Sequence, residues 1–182
     1  MIKDASKFLT HQDAATLNRN MVLKYIRNNA PVSRTDIWQD IGLSRASVTQ
    51  IIKQLLEQKY VYEKGSGEST GGRKPCYLEF NANIKYILVF DWHLNTIYLV
   101  NLGNEILYSN SIDTAKTDNP DQFIEKICIE VNDIKNKKNI GSDSIIGFGL
   151  VMPGMIDPVS GTVLLSLEQQ WKNVNLKEMA QN

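Results

Sequence analysis

At 182 residues, with 42% hydrophobic and 22% charged side chains, the chain has the balance of a folded protein and the length of one domain plus part of a second. The longest nearly unbroken apolar run, Ile145 to Met152, is far shorter than the roughly 18 residues of a membrane-spanning helix, and Met1 to Thr10 lacks an apolar signal core. These features exclude a disordered chain and a helical membrane protein, and they place the protein in the cytoplasm. Cys76 and Cys128 lie far apart without neighbouring Cys or His, so neither a disulfide framework nor a zinc spacing is expected, and both read as buried thiols. The formal charge of zero hides an asymmetry. Residues 1–80 carry 12 Lys and Arg against 8 Asp and Glu, and residues 81–182 carry 8 against 12. A basic first half suits a polyanionic partner, since Lys and Arg that displace counterions supply most non-specific affinity for nucleic acid.

Leu17, Met21, Leu23, Tyr25 and Ile26 recur at helical spacing and predict a first helix, ended near Asn29 because a residue before proline, here Ala30, disfavours helix. Residues 1–16 are left as an amino-terminal arm. Ser33 stands three positions before Asp36 in a capping-box arrangement that opens a short helix, and Gly42 supplies a left-handed stop. After the Gly42-Leu43 turn, Ser44 caps a third helix whose inward stripe is Val48, Ile51, Ile52, Leu55 and Leu56. Its outward positions are Arg45, Ala46, Thr49, Gln50 and Lys53. Small and polar side chains on such a face fit a major groove, where Arg pairs with guanine and Gln with adenine. Any amphipathic helix also shows polar residues to water. The spacing of two Ser-capped helices across a glycine turn adds the helix-turn-helix pattern.

Two short β-prone runs follow, Tyr60 to Glu63 and Cys76 to Phe80, on either side of a glycine-rich basic tip. In that tip Gly71 and Gly72 let the backbone approach a surface, Arg73 and Lys74 bring charge, and Pro75 stiffens the exit. Residues 17–80 therefore read as a winged helix-turn-helix.

The wing Ser69-Thr70-Gly71-Gly72-Arg73-Lys74-Pro75, placed after Pro31-Val32-Ser33-Arg34, resembles the repressor branch of the ROK family (repressors, open reading frames and sugar kinases). The resemblance implies a repressor of sugar-utilisation genes that binds double-stranded operator DNA as a homodimer and responds to a sugar, with xylose or a related sugar as the expected effector. Its candidate DNA contacts are Ser33, Arg34, Ser44, Arg45, Ala46, Ser47, Thr49, Gln50, Lys53, Gly71, Gly72, Arg73 and Lys74.

Beyond the wing, Tyr86 to Phe90, Thr96 to Leu102 and Ile106 to Ile112 predict a three-stranded meander, with a tight turn at Gly103-Asn104. Asn119-Pro120 starts a helix that buries Phe123, Ile124, Ile127, Cys128, Val131 and Ile134, and Ile145 to Met152 predicts a buried strand. Periodicity gives only a mixed α/β class. The resemblance makes residues 84–182 the incomplete beginning of an actin-like, ribonuclease H-like ROK lobe. Gly147-Phe148-Gly149, leading to Pro153-Gly154 and Asp157, resembles the family element at the edge of the sugar cleft, so Pro153, Gly154 and Glu168 are the candidate sugar contacts.

A sugar kinase of the same family is the rival. It would need a glycine-rich phosphate loop after the first strand, and here Asp91-Trp92-His93-Leu94-Asn95 puts bulky side chains in that place. The family's general base, zinc element and further sugar contacts would fall after Asn182. The expectation is therefore a chain with no catalytic residue, cofactor or metal site, and the other alternative is a non-inducible or inactive fragment of a longer repressor. His11 and His93 lack a second ligand nearby, and Asp157 and Glu168 read as a turn residue and a solvated one.

Overall fold

A computed structural model describes residues 11–66, 76–113 and 119–181. The chain is mixed α/β and divides into two compact units, with the boundary in sequence between Ile84 and Lys85.

The first unit runs α1 (His11–Asn29), β1 (Val32–Ser33), α2 (Arg34–Ile41), α3 (Arg45–Glu57), β2 (Val61–Ser66) and β3 (Cys76–Phe80). Helix α1 begins well before Leu17. Its first turns are polar and alanine-rich, so an apolar repeat could not reveal them, although Asp13 in the first turn suits the positive end of the helix dipole. The buried face of α1 also differs from expectation. Val22 and Ile26 are fully buried, Leu23 and Tyr25 pack beside them, and Leu17 and Met21 stay about half exposed.

The ends of α2 follow the sequence signals. Ser33 and Asp36 form a reciprocal capping box, and Gly42 closes the helix at φ 70°. Ser44 caps α3 by accepting from the Ser47 N–H. Strands β1, β3 and β2 form an antiparallel sheet in that order, with Val32 opposite Leu78 and Val61 opposite Phe80. The core joins Val22, Ile26, Ile37, Val48, Ile52 and Leu55 of the helices to Val61 and Leu78 of the sheet. Each such burial contributes about 1.5–3 kcal/mol before entropy is charged against it.

The second unit opens with the meander β4 (Tyr86–Asp91), β5 (Thr96–Asn101) and β6 (Ile106–Ser111). Helix α4 (Pro120–Lys138), capped by Asn119 with Pro120 in its first turn, crosses over to β7 (Ile145–Val151), which lies parallel to β4. The sheet order is β6-β5-β4-β7, so β7 is an edge. This corrects the expected buried strand: Ile146, Phe148 and Val151 are exposed, and the described residues place no strand beyond β7. The expected buried thiols are corrected as well. Cys128 is exposed and Cys76 only partly covered, since the buried stripe of α4 is Phe123, Ile127 and Ile134 and Cys128 points away from it.

A second antiparallel sheet, β8 (Met155–Asp157), β9 (Thr162–Ser166) and β10 (Trp171–Asn175), precedes the short α5 (Leu176–Met179). The core of this unit centres on four rings, Phe90, Trp92, Phe123 and Trp171. Trp92 lies 4.7 Å from Phe123 and 5.2 Å from Trp171 between centroids, within the range of favourable aromatic contact. Among the described residues no helix is long and apolar enough to cross a membrane.

Candidate nucleic-acid interface

Helix α3 turns Val48, Ile51, Ile52 and Leu55 into the core, which by helical geometry sends Arg45, Ala46, Thr49, Gln50 and Lys53 outward, and all five are exposed. Several of the candidate contacts have partners inside the unit. The Ser33 side chain is buried and accepts the Asp36 N–H at 3.3 Å. Ser44 Oγ accepts the Ser47 N–H at 3.1 Å and lies 2.9 Å from Ser47 Oγ. The Thr49 hydroxyl donates to the Arg45 carbonyl at 2.8 Å, a backbone tie common to hydroxyl residues in helices. Lys53 stands 3.9 Å from Glu57 one turn on, a solvated pair worth little.

The two arginines that open α2 and α3 are held more firmly. Arg45 lays its guanidinium 4.3 Å over the Trp38 ring, and Arg34 pairs with Glu63 of β2 at 2.8 Å. Together Arg34, Thr35, Trp38, Arg45, Val48 and Thr49 line an open cavity of about 250 Å³ between the starts of the two helices.

Glu63 also faces the Cys76 thiol. The Arg34 guanidinium, with a smaller contribution from Cys76, holds the Glu63 carboxyl below the usual carboxylate range. Burial first, and Glu63 second, push the thiol up, which disfavours its thiolate. One register step away, Glu79 of β3 accepts from Lys64 at 2.8 Å and from the Tyr62 hydroxyl at 2.6 Å. Those donors lower its pKa, and it raises theirs. The Lys64–Glu79 pair thus joins the two strands at the base of the hairpin, and the Arg34–Glu63 pair joins α2 to β2. Gly71, Gly72, Arg73 and Lys74 lie outside the described residues.

In the second unit, Gly154 adopts φ 141°, and a Cβ there would meet the Leu165 carbonyl at 2.6 Å. Ser166 Oγ sits 3.1 Å from the Pro153 carbonyl and 2.6 Å from Gln169 Oε1, which ties the Pro153-Gly154 backbone to the turn that carries Glu168. Ser166 and Gln169 are both buried while Glu168 is exposed. Neither Ser166 nor Gln169 was singled out by the sequence, where a buried serine–glutamine pair leaves no periodic signal. An apolar cavity of about 520 Å³, bordered by Phe123, Phe148, Met152, Ile156 and Leu176, has none of Pro153, Gly154 and Glu168 in its wall. Asp157 is a turn residue: it accepts from the Ser160 hydroxyl at 2.7 Å and the Val159 N–H at 3.0 Å, which together hold its pKa low.

After β4 the chain turns tightly. The N–H groups of Trp92, Leu94 and Asn95 go to the Val151 carbonyl, Asp91 Oδ1 and the Trp92 carbonyl respectively, and the Trp92 ring fills the core. Among the described residues no group of three or more His, Cys, Asp or Glu is placed to hold a metal ion.

No family model matches the sequence. Individual proteins do. A putative xylose repressor of Caldicellulosiruptor sp. (strain Rt8B.4) is 31% identical over 168 residues, which are 91% of this chain and 42% of that protein. The xylose repressor of Bacillus subtilis (strain 168) is 28% identical over 174 residues, 91% of this chain and 43% of that one. The DNA-binding transcriptional dual regulator NagC of Escherichia coli (strain K12) is 27% identical, over 89% and 40%. The crystal structure of a ROK family transcriptional regulator, homolog of the E. coli MLC protein, superposes with a TM-score of 0.68 at 24% identity, over 91% of this chain and 42% of that one. The chain resembles the repressors of the ROK family. It spans about 42% of the length of the xylose repressors it matches. The structural likeness establishes a shared fold across both units, and the proteins named are regulators, so no relative among them points to catalysis.

Proposed function

We propose that this chain is a DNA-binding repressor of sugar-utilisation genes, in which α3 enters the major groove and the β2–β3 hairpin lies alongside as a basic wing. The observation that carries this reading is the face of α3. Arg45, Ala46, Thr49, Gln50 and Lys53 are exposed together on a helix that α1, α2 and the sheet hold rigidly from behind. Residues 17–80 are then a winged helix-turn-helix, extended at its start by the first turns of α1, with Gly71, Gly72, Arg73 and Lys74 supplying the wing's contacts. Residues 84–182 are the opening part of an actin-like sugar-sensing lobe.

In that lobe Pro153, Gly154 and Glu168 stand at the sugar cleft, and xylose or a related sugar is the effector. A homodimer would set two copies of α3 in successive major grooves of a near-palindromic operator, and sugar binding would bias the dimer away from that spacing. The turn after β4 supports a non-catalytic lobe, since the N–H groups of Trp92, Leu94 and Asn95 are donated within the protein and would not cradle a nucleotide phosphate.

One observation favours a second reading, an uninducible or inactive fragment of a longer repressor. Strand β7 and the sheet β8–β9 expose Ile146, Phe148, Val151, Met155 and Leu164, the kind of patch that another part of a domain normally covers. Selection of randomised duplex DNA on the purified chain, beside the double substitution of Arg73 and Lys74 to Ala, separates the two. An enriched inverted repeat that the variant fails to hold supports the working repressor. A folded protein that enriches nothing supports the fragment.

A further inference from the structure

Arg45 is the first residue of α3, and in sequence it belongs with the base-reading positions. Its placement gives it a different task. The guanidinium lies 4.3 Å over Trp38, so its head rests against α2. Stacking covers the face of a guanidinium and leaves its in-plane N–H groups for hydrogen bonding, in the fork that matches a phosphate. Arg34, the first residue of α2, borders the same cavity, with Thr35 and Thr49 completing the wall. Both helices begin at this cavity, so their dipoles add to its positive potential. Among the described residues the carboxylate paired with these groups is Glu63, which takes Arg34 at 2.8 Å from the neighbouring strand and stays ionised below its ordinary range because of that contact.

We infer that the cavity between α2 and α3 seats one backbone phosphate of the duplex, held by Arg45 and Arg34, and that Glu63 acts as a brake by occupying Arg34 until the phosphate competes for it. The inference rests on the DNA-binding reading and deepens it. Arg45 and Arg34 fix the register of α3 without reading sequence, and discrimination among bases falls to Ala46, Gln50 and Lys53.

The test uses the whole chain and the duplex it selects from randomised DNA, with Kd measured across a series of salt concentrations. Arg45→Ala, an exposed position whose loss leaves the fold standing, is expected to weaken every sequence alike. It should lower the slope of log affinity against log salt by about one and leave the selected consensus unchanged. Glu63→Gln should act in the opposite sense, with tighter binding and a slope steeper by about one. In a scan that replaces single phosphates by neutral methylphosphonates, one position per bound copy should cost the wild type affinity and cost Arg45→Ala nothing further.

An Arg45→Ala protein that relaxes the consensus at one base pair while keeping its salt slope would overturn the inference and leave the DNA-binding reading in place. So would a Glu63→Gln protein that binds more weakly. A folded wild-type chain that holds no duplex at any salt would overturn both.

Discussion

In the first unit three helices and a small sheet meet around Ile26, Ile37, Ile52 and Leu78, none of which has exposed surface, and the outward face of α3 is polar. In the second unit the rings of Phe90, Trp92, Phe123 and Trp171 are equally well buried, yet Phe148, Val151, Met155 and Leu167 face outward. The difference separates two meanings of a folded core. The core of the first unit is built from its own residues, with Leu17, Met21 and Tyr62 left about half exposed, and the outward face of α3 is free to be chosen for a partner. The second packs α4 on its sheet and still leaves Phe148, Val151 and Met155, on β7 and β8, with exposed apolar side chains.

The largest effects are expected inside the two cores. Phe123→Ala in the second unit and Ile52→Ala in the first are expected to cost about 3–5 and 2–5 kcal/mol respectively, the range for truncation in a packed core. Guanidinium unfolding followed by tryptophan fluorescence checks both. Trp92 and Trp171 report the second unit and Trp38 the first, so removing each group in turn separates the transitions. If either substitution proves neutral, that core is not packed as described.

A smaller effect separates two glycines that share one backbone conformation. Gly42 at φ 70° has nothing within 4 Å of an added Cβ, whereas Gly161 at φ 68° would set its Cβ 2.4 Å from Lys177 Cβ. Alanine at Gly42 carries the left-handed strain alone, about 1 kcal/mol, and alanine at Gly161 adds a steric shift that brings the cost toward about 3 kcal/mol. Thermal melts of the two variants should rank in that order, and equal melting temperatures would contradict the Lys177 contact.

Much of the first unit was legible in the sequence because its signals are local. Ser33 with Asp36, Gly42 and Ser44 mark helix ends within four residues, and the stripe from Val48 to Leu55 repeats at helical spacing. Other features depend on the fold. The stacking of Arg45 on Trp38 and the pairing of Arg34 with Glu63 join residues on different elements, so nothing in their spacing announces them. Val22 was passed over in favour of Leu17 and Met21, since periodicity alone cannot choose which of two adjoining stripes faces the core. The apolar run at Ile145 signalled a strand correctly but not its place at an edge, and β8–β10 went unread because three-to-five-residue strands separated by turns have too short a period to register.

Serine at Val151 or Leu167 tests the exposed apolar surface. Such surface changes should move stability by no more than about 0.5 kcal/mol while reducing the binding of a hydrophobic dye and the tendency to aggregate. A large loss of stability would mean that these side chains are packed after all.

The smallest expected effects are those of pH on the first unit, and they have opposite signs at the two ends. Glu63 and Glu79 have depressed pKa values, so their contribution is complete above the ordinary value of 4.5 and is lost as the pH falls through and below it. The Tyr25 hydroxyl, hydrogen-bonded to Asp40, is raised from 10.0 to about 12, so its contribution is complete below 10.0 and is lost as the pH rises toward 12. Melting temperatures across pH should fall at both ends. Asp40→Asn should flatten the alkaline limb, and Glu63→Gln together with Glu79→Gln the acid limb.

The account turns on α3 reading DNA, and Gln50→Ala tests it most directly, because Gln50 is exposed and its loss leaves the packing of α3 intact. Affinity should be measured for the duplex selected by the wild-type chain and for a scrambled duplex of equal length at one salt concentration. The account predicts an unchanged melting temperature, unchanged affinity for the scrambled duplex, and a loss of discrimination at one base pair of about 1–3 kcal/mol, or roughly 5- to 150-fold. Discrimination that survives Gln50→Ala intact would contradict it and take sequence reading away from α3.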